Sequence, residues 1–172
     1  MVAHVKIPKE RLRVLLAEKK TVQSIEAATH TKIEVNRDTE EVEILAQESG
    51  NAYDELRAAD VIKAIGRGFV AKTAFRLLEE DAILAVIDIT EFTGKKKNTI
   101  ERIKGRIIGT HGKSKQRIAD MTNTDIVVYG KTVSIIGRAE NALLAQKAIE
   151  TLCNGSMHNT VFRLIERGAG KL

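Results

Sequence analysis

An internal repeat is the strongest constraint on the fold, because two copies of one pattern are expected to fold in the same way. Setting residues 1–80 against residues 81–172 with an offset of 93 positions makes aliphatic, glutamine and threonine positions coincide. The matched pairs are Leu15 with Ile108, Gln23 with Gln116, Ile25 with Ile118, Thr29 with Thr122, Thr31 with Thr124 and Ile33 with Ile126. A second match sets residues 75–79 against 162–166, at an offset of 87. The sequence therefore predicts two similar domains, 1–80 and 81–172, each ending in an extra helix.

Hydrophobic periodicity predicts the order of elements in these copies. In the first copy we expect a strand over 2–7, a helix from Pro8 through Leu16, a helix over 22–29, strands over 32–36 and 41–45, and a longer helix over 53–65. In the second copy, an apolar strand over 83–89 precedes a helix–turn–helix–strand unit over 105–128. This order predicts an α+β fold for each copy.

The second copy contains a turn that suits a phosphate chain. Gly109 and Gly112 enclose Thr110 and His111, and glycine allows both positive φ and close approach of a foreign backbone. The helix predicted to begin near Lys113 would direct its free N–H groups and the positive end of its dipole at the same place. An anion is therefore favoured at this turn.

The charge distribution agrees with an anionic ligand. Residues 1–80 hold thirteen Lys and Arg against fourteen Asp and Glu, whereas residues 81–172 hold fifteen against nine. Between Lys95 and Arg117 there are nine basic residues and one acid, Glu101. Such clustering is typical of a polyanion site. A solvated basic face is the alternative interpretation, and the position of the turn within the run favours nucleic acid.

These residues resemble the KH domain. Ile108, Gly109, Gly112, Ile118, Thr122 and Ile126 fall in the register of the motif, whereas Lys115 stands where an aliphatic residue is usual. With that lysine, the run Gly-Lys-Ser-Lys is similar to the short archaeal form of the partner of Nob-one family of small-subunit ribosome biogenesis factors. The resemblance covers nearly the whole chain. It implies two tandem type I KH domains, each a three-stranded antiparallel sheet packed on helices.

The resemblance also implies a function, which is to hold about four nucleotides of single-stranded RNA or DNA. The backbone clamp would be Gly109, Thr110, His111 and Gly112, with Lys113, Lys115 and Arg117 on phosphates, Arg106 and Lys104 on neighbouring phosphates, and Ile107, Ile108, Ile118 and Ile126 lining or supporting an apolar groove. For each isoleucine taken alone, an ordinary core position is favoured over base contact. Lys95, Lys96 and Lys97 could extend the phosphate track or form a mobile loop. The family further implies binding near the 3′ end of small-subunit ribosomal RNA, with a Nob-type endonuclease and translation initiation factor two as partners.

The first copy differs from the motif at the turn itself. Leu16, Ala17, Glu18 and Lys19 occupy the positions of the four clamp residues, so both glycines are missing and an acid is present. We expect that this copy does not clamp RNA. Whether it contacts a protein or only supports the second copy is left open.

Other classes of function have little support in the sequence. No apolar run is long enough to span a membrane, the N terminus does not resemble a signal peptide, and the single Cys153 suits a reducing compartment, so we expect a cytoplasmic protein. The histidines are too dispersed for a zinc site, and no cofactor is implied. Gly-Lys-Ser at 112–114 imitates a nucleotide-binding loop, but Ile107 stands where its first glycine is required. We therefore expect a non-enzymatic protein, with a protein-interaction scaffold as the alternative to RNA binding.

Overall fold

The structure is a computed structural model that describes residues 2–170, and all side chains in that range except that of Lys19. The described chain divides into two compact units between Glu80 and Asp81. We call the part before this boundary unit 1 and the part after it unit 2. Each unit has its own sheet and its own buried core, so each is described by itself.

Unit 1 consists of a three-stranded antiparallel sheet and the helices that pack against it. Its elements are β1 Val2–Lys6, α1 Lys9–Ala17, α2 Lys19–Thr29, β2 Thr31–Asn36, β3 Glu41–Ala46, α3 Ala52–Gly66, α4 Ala71–Ala74 and a 3₁₀ turn Phe75–Leu78. The strand order is β1-β3-β2, and Val5 and Val35 both lie opposite Val42 of the central strand. Because successive strand side chains point to opposite faces, alternating aliphatic and charged residues bury one face of the sheet. The long helix α3 packs against β1 and β3.

Unit 2 repeats this arrangement. Its elements are β4 Ala82–Asp88, α5 Thr90–Thr93, α6 Lys97–Ile108, a 3₁₀ turn Thr110–Gly112, α7 Lys113–Thr122, β5 Asp125–Tyr129, β6 Thr132–Arg138, α8 Ala139–Cys153 and α9 His158–Ala169. The strand order is β4-β6-β5, and Ile87 and Val128 both lie opposite Val133. Helix α8 packs on β4 and β6, and α9 packs on α7 and α8. The predicted α+β architecture with antiparallel three-stranded sheets is confirmed.

The two units also share a hydrogen-bond motif at the end of their second helix. In unit 1 the Thr29 hydroxyl donates to the carbonyl of Ile25 (2.6 Å) and lies 2.8 Å from the Thr31 hydroxyl. In unit 2 the Thr122 hydroxyl donates to the carbonyl of Ile118 (2.7 Å) and lies 2.9 Å from the Thr124 hydroxyl. The threonines that coincide in the sequence repeat therefore close the same helix end and lead into the same strand.

The extra helix predicted at the end of each copy is well formed only in unit 2. Helix α9 has twelve residues, whereas unit 1 ends in the four-residue α4 and a four-residue 3₁₀ turn. Strand β4 follows at Ala82, which leaves the first copy little chain for further helical turns. The prediction of an extra helix is therefore corrected to a short helical segment in unit 1.

Candidate nucleic-acid interface

The loop between α6 and α7 has a backbone that only a few residue types can adopt. Helix α6 ends at Ile108, and the next residues include Gly109 (φ 74°, ψ 176°), His111 (φ 54°, ψ 28°) and Gly112 (φ 73°, ψ 10°). Left-handed backbone is unfavourable for residues with a Cβ, so two of these three positions are glycine. The predicted sequence of helix end, tight turn and new helix is confirmed.

The two glycines of this loop face different surroundings. A Cβ placed on Gly109 would lie 2.7 Å from the Cβ and 2.9 Å from the backbone nitrogen of Ser114, so Gly109 closes the loop against the start of α7. A Cβ placed on Gly112 would meet no atom of the described chain within 4 Å. Thr110 and His111 are exposed. The outer side of the loop is therefore open to a ligand backbone.

Positive charge surrounds the opening of the loop. Lys113 and Arg117 are exposed and Lys115 is half-buried, and neither lysine forms an ion pair with a residue that the structure describes. The three cations lie on the first two turns of α7, whose N-terminal N–H groups and dipole also favour an anion. This arrangement suits a chain of phosphates.

Two of the other predicted basic residues have partners within unit 2. The Arg106 guanidinium donates to the carbonyl oxygens of Leu152 (3.0 Å) and Ser156 (2.5 Å), which end α8 and begin the link to α9. The Lys104 amino group lies 3.5 Å from the Glu101 carboxylate. Two donors of Arg106 thus hold the helices together, and the phosphate contact predicted for this residue stays a prediction.

The apolar residues predicted for the groove differ in how much of them a ligand could reach. Ile107 and Ile118 are fully buried, and Ile126 is 6% exposed. Ile108 is half-buried. Of these four side chains, only Ile108 has a surface on which a base could lie, and the other three support the groove from the core.

A second feature of this region is a pocket between the loop and α9. It has a volume of about 470 Å³ and includes Thr110, Lys113, Arg117, His158 and Phe162 in its lining. The Arg117 guanidinium lies over the Phe162 ring, 4.0 Å from its centroid. His158 Nε2 lies 2.8 Å from the carbonyl oxygen of Arg106, so Nε2 carries the proton that this bond requires. Sequence analysis missed this pocket, because α9 follows the loop by about fifty residues and no motif marks the contact.

The corresponding joint in unit 1 has no loop. Helix α1 ends at Ala17 and α2 begins at Lys19, so Glu18 alone connects them, with φ −107° and ψ 101°. This is ordinary extended backbone with no left-handed residue. The positions that match the predicted clamp in sequence are thus helical except for Glu18. This joint has neither a glycine nor a loop that could hold a phosphate chain.

The described residues contain no group of three or more His, Cys, Asp or Glu that could hold a metal ion. No helix in residues 2–170 has both the length and the apolar character needed to cross a membrane. Cys153 is buried at the end of α8, and this burial raises the pKa of its thiol to about 11. A thiol of this kind is protonated and unreactive at neutral pH.

Comparison with known proteins adds an independent line of evidence. The model of the second KH domain of PNO1, a eukaryotic type KH-domain (KH-domain type I), matches residues 83–169. A KH domain-containing protein of Methanocaldococcus jannaschii is 35% identical over 168 residues, which cover 97% of this chain and 74% of that protein. The pre-rRNA-processing protein PNO1 of Chaetomium thermophilum is 30% identical over 140 residues, which cover 77% of this chain. The chain spans about half (53%) of the length of that fungal relative.

Solved structures are similar over the whole chain. A chain of the a/eIF2alpha-aDim2p-rRNA complex from Pyrococcus horikoshii OT3 superposes with a TM-score of 0.92 at 40% sequence identity. The superposition covers 100% of this chain and 96% of that chain.

Proposed function

Because the chain belongs to the PNO1 family of KH-domain RNA-binding proteins, we propose that it binds single-stranded RNA through unit 2 during maturation of the small ribosomal subunit. The observation that carries this proposal is the loop from Gly109 to Gly112. Its backbone has positive φ at three positions, a ligand can approach Gly112 closely, and Lys113, Lys115 and Arg117 form no ion pair with a carboxylate of the described residues.

In the proposed mode of binding, the sugar-phosphate chain lies across the open side of the loop. Thr110 and His111 contact it, and Lys113, Lys115 and Arg117 neutralise its phosphates. Each phosphate that is neutralised releases counterions, so affinity falls as salt rises. Bases lie in the adjoining groove, where Ile108 offers a partly exposed apolar surface. The proposal assigns unit 2 a role in binding and no catalytic role.

We further propose that unit 1 is a second, divergent KH domain. The same strand order, the same pair of threonine hydroxyls and the same order of helices support this assignment. Its single-residue joint at Glu18 argues against a second RNA clamp. We therefore propose that unit 1 contacts a protein or supports unit 2, while unit 2 binds RNA.

The proposed RNA is the 3′ end of small-subunit ribosomal RNA. The fungal relative is named a pre-rRNA-processing protein, and the Pyrococcus complex contains rRNA together with a/eIF2alpha. On this proposal, translation initiation factor two and a Nob-type endonuclease are the protein partners, and the protein acts in the cytoplasm.

The test is the affinity of the full chain for a single-stranded oligonucleotide ending in the small-subunit ribosomal 3′ sequence, at two salt concentrations. The variant Thr110→Asp/His111→Asp adds two negative charges at exposed positions, away from the core. We expect wild-type affinity to fall with salt, and the variant to lose affinity at least about thirtyfold, equivalent to about 2 kcal/mol.

A matched control adds the same charge to unit 1. Gln23 and Ser24 are exposed on α2, so Gln23→Asp/Ser24→Asp should leave RNA affinity nearly unchanged. Equal binding by the loop variant and the wild type would exclude the loop as the site. Tight and salt-insensitive binding to a protein partner, without measurable affinity for RNA, would favour the scaffold function instead.

A further inference from the structure

We infer that the pocket between the Gly109–Gly112 loop and α9 holds one more nucleotide of the RNA strand, beyond those in the groove beside Ile108. This inference rests on the proposed function and extends it, since it adds a base-stacking position on a helix that follows the KH elements. The pocket is about 470 Å³ in volume, and it shares Gly109, Thr110 and Lys113 with the loop. A strand that crosses the loop therefore reaches the pocket without a break.

The stacking surface is the guanidinium of Arg117. One of its faces lies over the Phe162 ring, 4.0 Å from the centroid, and Arg117 is exposed whereas Phe162 is 9% exposed. Contact with the aromatic ring thus restricts the guanidinium, while the exposed part of the side chain remains accessible to a base. Single-stranded bases commonly stack on arginine planes of this kind, and a face that is already fixed loses little conformational entropy on binding.

The rest of the pocket suits a phosphate. Its lining contains Lys113, Arg106 and His158, and no acidic side chain of the described chain lines it. Arg106 is held by carbonyl groups of α8 and of the link to α9, and His158 is held by the carbonyl of Arg106. Arg106 and His158 are therefore fixed in place as a wall of the pocket, and Lys113 offers its ammonium group to a phosphate. A lining with cationic side chains and no acid favours a nucleotide over a neutral or basic peptide.

The experiment measures how affinity depends on oligonucleotide length. Single strands of four to eight nucleotides, lengthened one nucleotide at a time at either end, are titrated against the full chain. We expect one step, at one end only, at which affinity rises at least about fivefold, the gain expected from stacking one base. A 2-aminopurine placed at that step should lose fluorescence on binding, because stacking quenches it.

Two variants and one control locate the step. Arg117→Gln removes the stacking plane, and His158→Gln alters the pocket wall while retaining an N–H donor for the Arg106 carbonyl. Each should abolish the step, and Arg117→Gln should also abolish the quenching. For each variant, the affinity for the longer strand is divided by the affinity for the shorter strand. A loss of phosphate contacts that weakens both strands equally does not change this ratio. Arg163→Gln removes a cation from α9 that lines a different groove, and it should keep both step and quenching.

Each outcome decides the inference. A step that is lost in the two pocket variants and kept in the control supports it. If short strands bind but no step occurs at either end, or if the step survives in Arg117→Gln and His158→Gln, the pocket holds no nucleotide while the proposed function stands. If no oligonucleotide of any length binds, the proposed function fails and this inference fails with it.

Discussion

The two units differ most where their first two helices join. In unit 2 a four-residue loop separates α6 from α7, with left-handed backbone at Gly109, His111 and Gly112. In unit 1 the single residue Glu18 separates α1 from α2. The strand order, the order of the three main helices (α1, α2 and α3 in unit 1; α6, α7 and α8 in unit 2) and the threonine pairs are the same. The strand order and the main helix order that the units share therefore do not require the loop, which can be lost or kept separately from the fold.

The loop should be the most sensitive point of unit 2, and its two glycines should differ in their effect. Gly109→Ala forces a Cβ to within 2.7 Å of Ser114 and requires an alanine at φ 74°, so we expect it to lower the free energy of unfolding by about 2–4 kcal/mol. Gly112→Ala meets open space and carries only the left-handed penalty, about 1–2 kcal/mol. Amide hydrogen exchange, read separately for peptides of unit 1 and unit 2, measures both losses.

The control for this prediction lies at the joint of unit 1. Glu18 has extended backbone and makes no side-chain capping hydrogen bond, so Glu18→Ala should change stability by less than about 0.5 kcal/mol. If Gly109→Ala and Gly112→Ala destabilised unit 2 equally, the close packing of Gly109 against Ser114 would not contribute to the stability of the loop.

The units should respond alike to loss of a shared arginine. Arg11 of α1 donates to the carbonyls of Ile65 and Phe69, both at 2.7 Å, just as Arg106 of α6 donates to those of Leu152 and Ser156. Arg11→Met and Arg106→Met should each destabilise their own unit by about 2 kcal/mol, since each removes charged donors from partly buried carbonyl groups. Unit-resolved hydrogen exchange again gives the readout.

The Arg106 variant also tests the phosphate contact predicted for Arg106. Below its unfolding transition, Arg106→Met should keep RNA affinity within about threefold of wild type, because the lost donors face the protein. The exposed Arg13 and Arg102 supply the controls, and Arg13→Met and Arg102→Met should leave stability nearly unchanged. A large loss of RNA affinity in folded Arg106→Met would mean that Arg106 contacts RNA.

The sequence was sufficient for local features and failed for distant contacts. Glycine spacing, threonine positions and strand alternation are local signals, so they predicted the loop, the helix ends and the sheets. The sequence did not reveal the corresponding roles of Arg11 and Arg106, because their hydrogen-bond partners lie 46 to 58 positions away along the chain. Their separation of 95 positions also differs from the offsets of 93 and 87 found in the repeat.

The site was predicted with the same limits. The loop glycines were predicted because positive φ favours glycine, whereas the contact of Arg117 with Phe162 depends on how α9 packs on α7. The short end of unit 1 was overpredicted, since residues 75–79 resemble 162–166 in sequence but precede a strand by only a few positions. Residue identity alone could not show how much chain remained for a helix there.

The smallest expected difference between the units concerns pH. At an offset of 87, Cys153 at the end of α8 corresponds to Gly66 at the end of α3, so only unit 2 has an ionisable group at this position. Burial raises the pKa of Cys153 from its ordinary value of 9.0 to about 11. Between these values the unfolded chain loses the thiol proton while the folded chain keeps it. The stabilisation is therefore complete below pH 9 and is lost as pH rises toward 11.

We expect the thermal midpoint of wild type, measured relative to Cys153→Ala, to fall by a few degrees between pH 8 and pH 10. The alanine variant lacks the thiol, so subtracting its midpoint removes the effect of lysines and tyrosines that titrate in the same range. Hydrogen exchange should assign the change to peptides of unit 2 and leave unit 1 unaffected. A pH-independent difference would mean that the thiol reaches solvent as readily in the folded chain as in the unfolded one. The end of α8, which also carries the carbonyl of Leu152 that binds Arg106, would then open too easily to hold the α6 side of the loop in place.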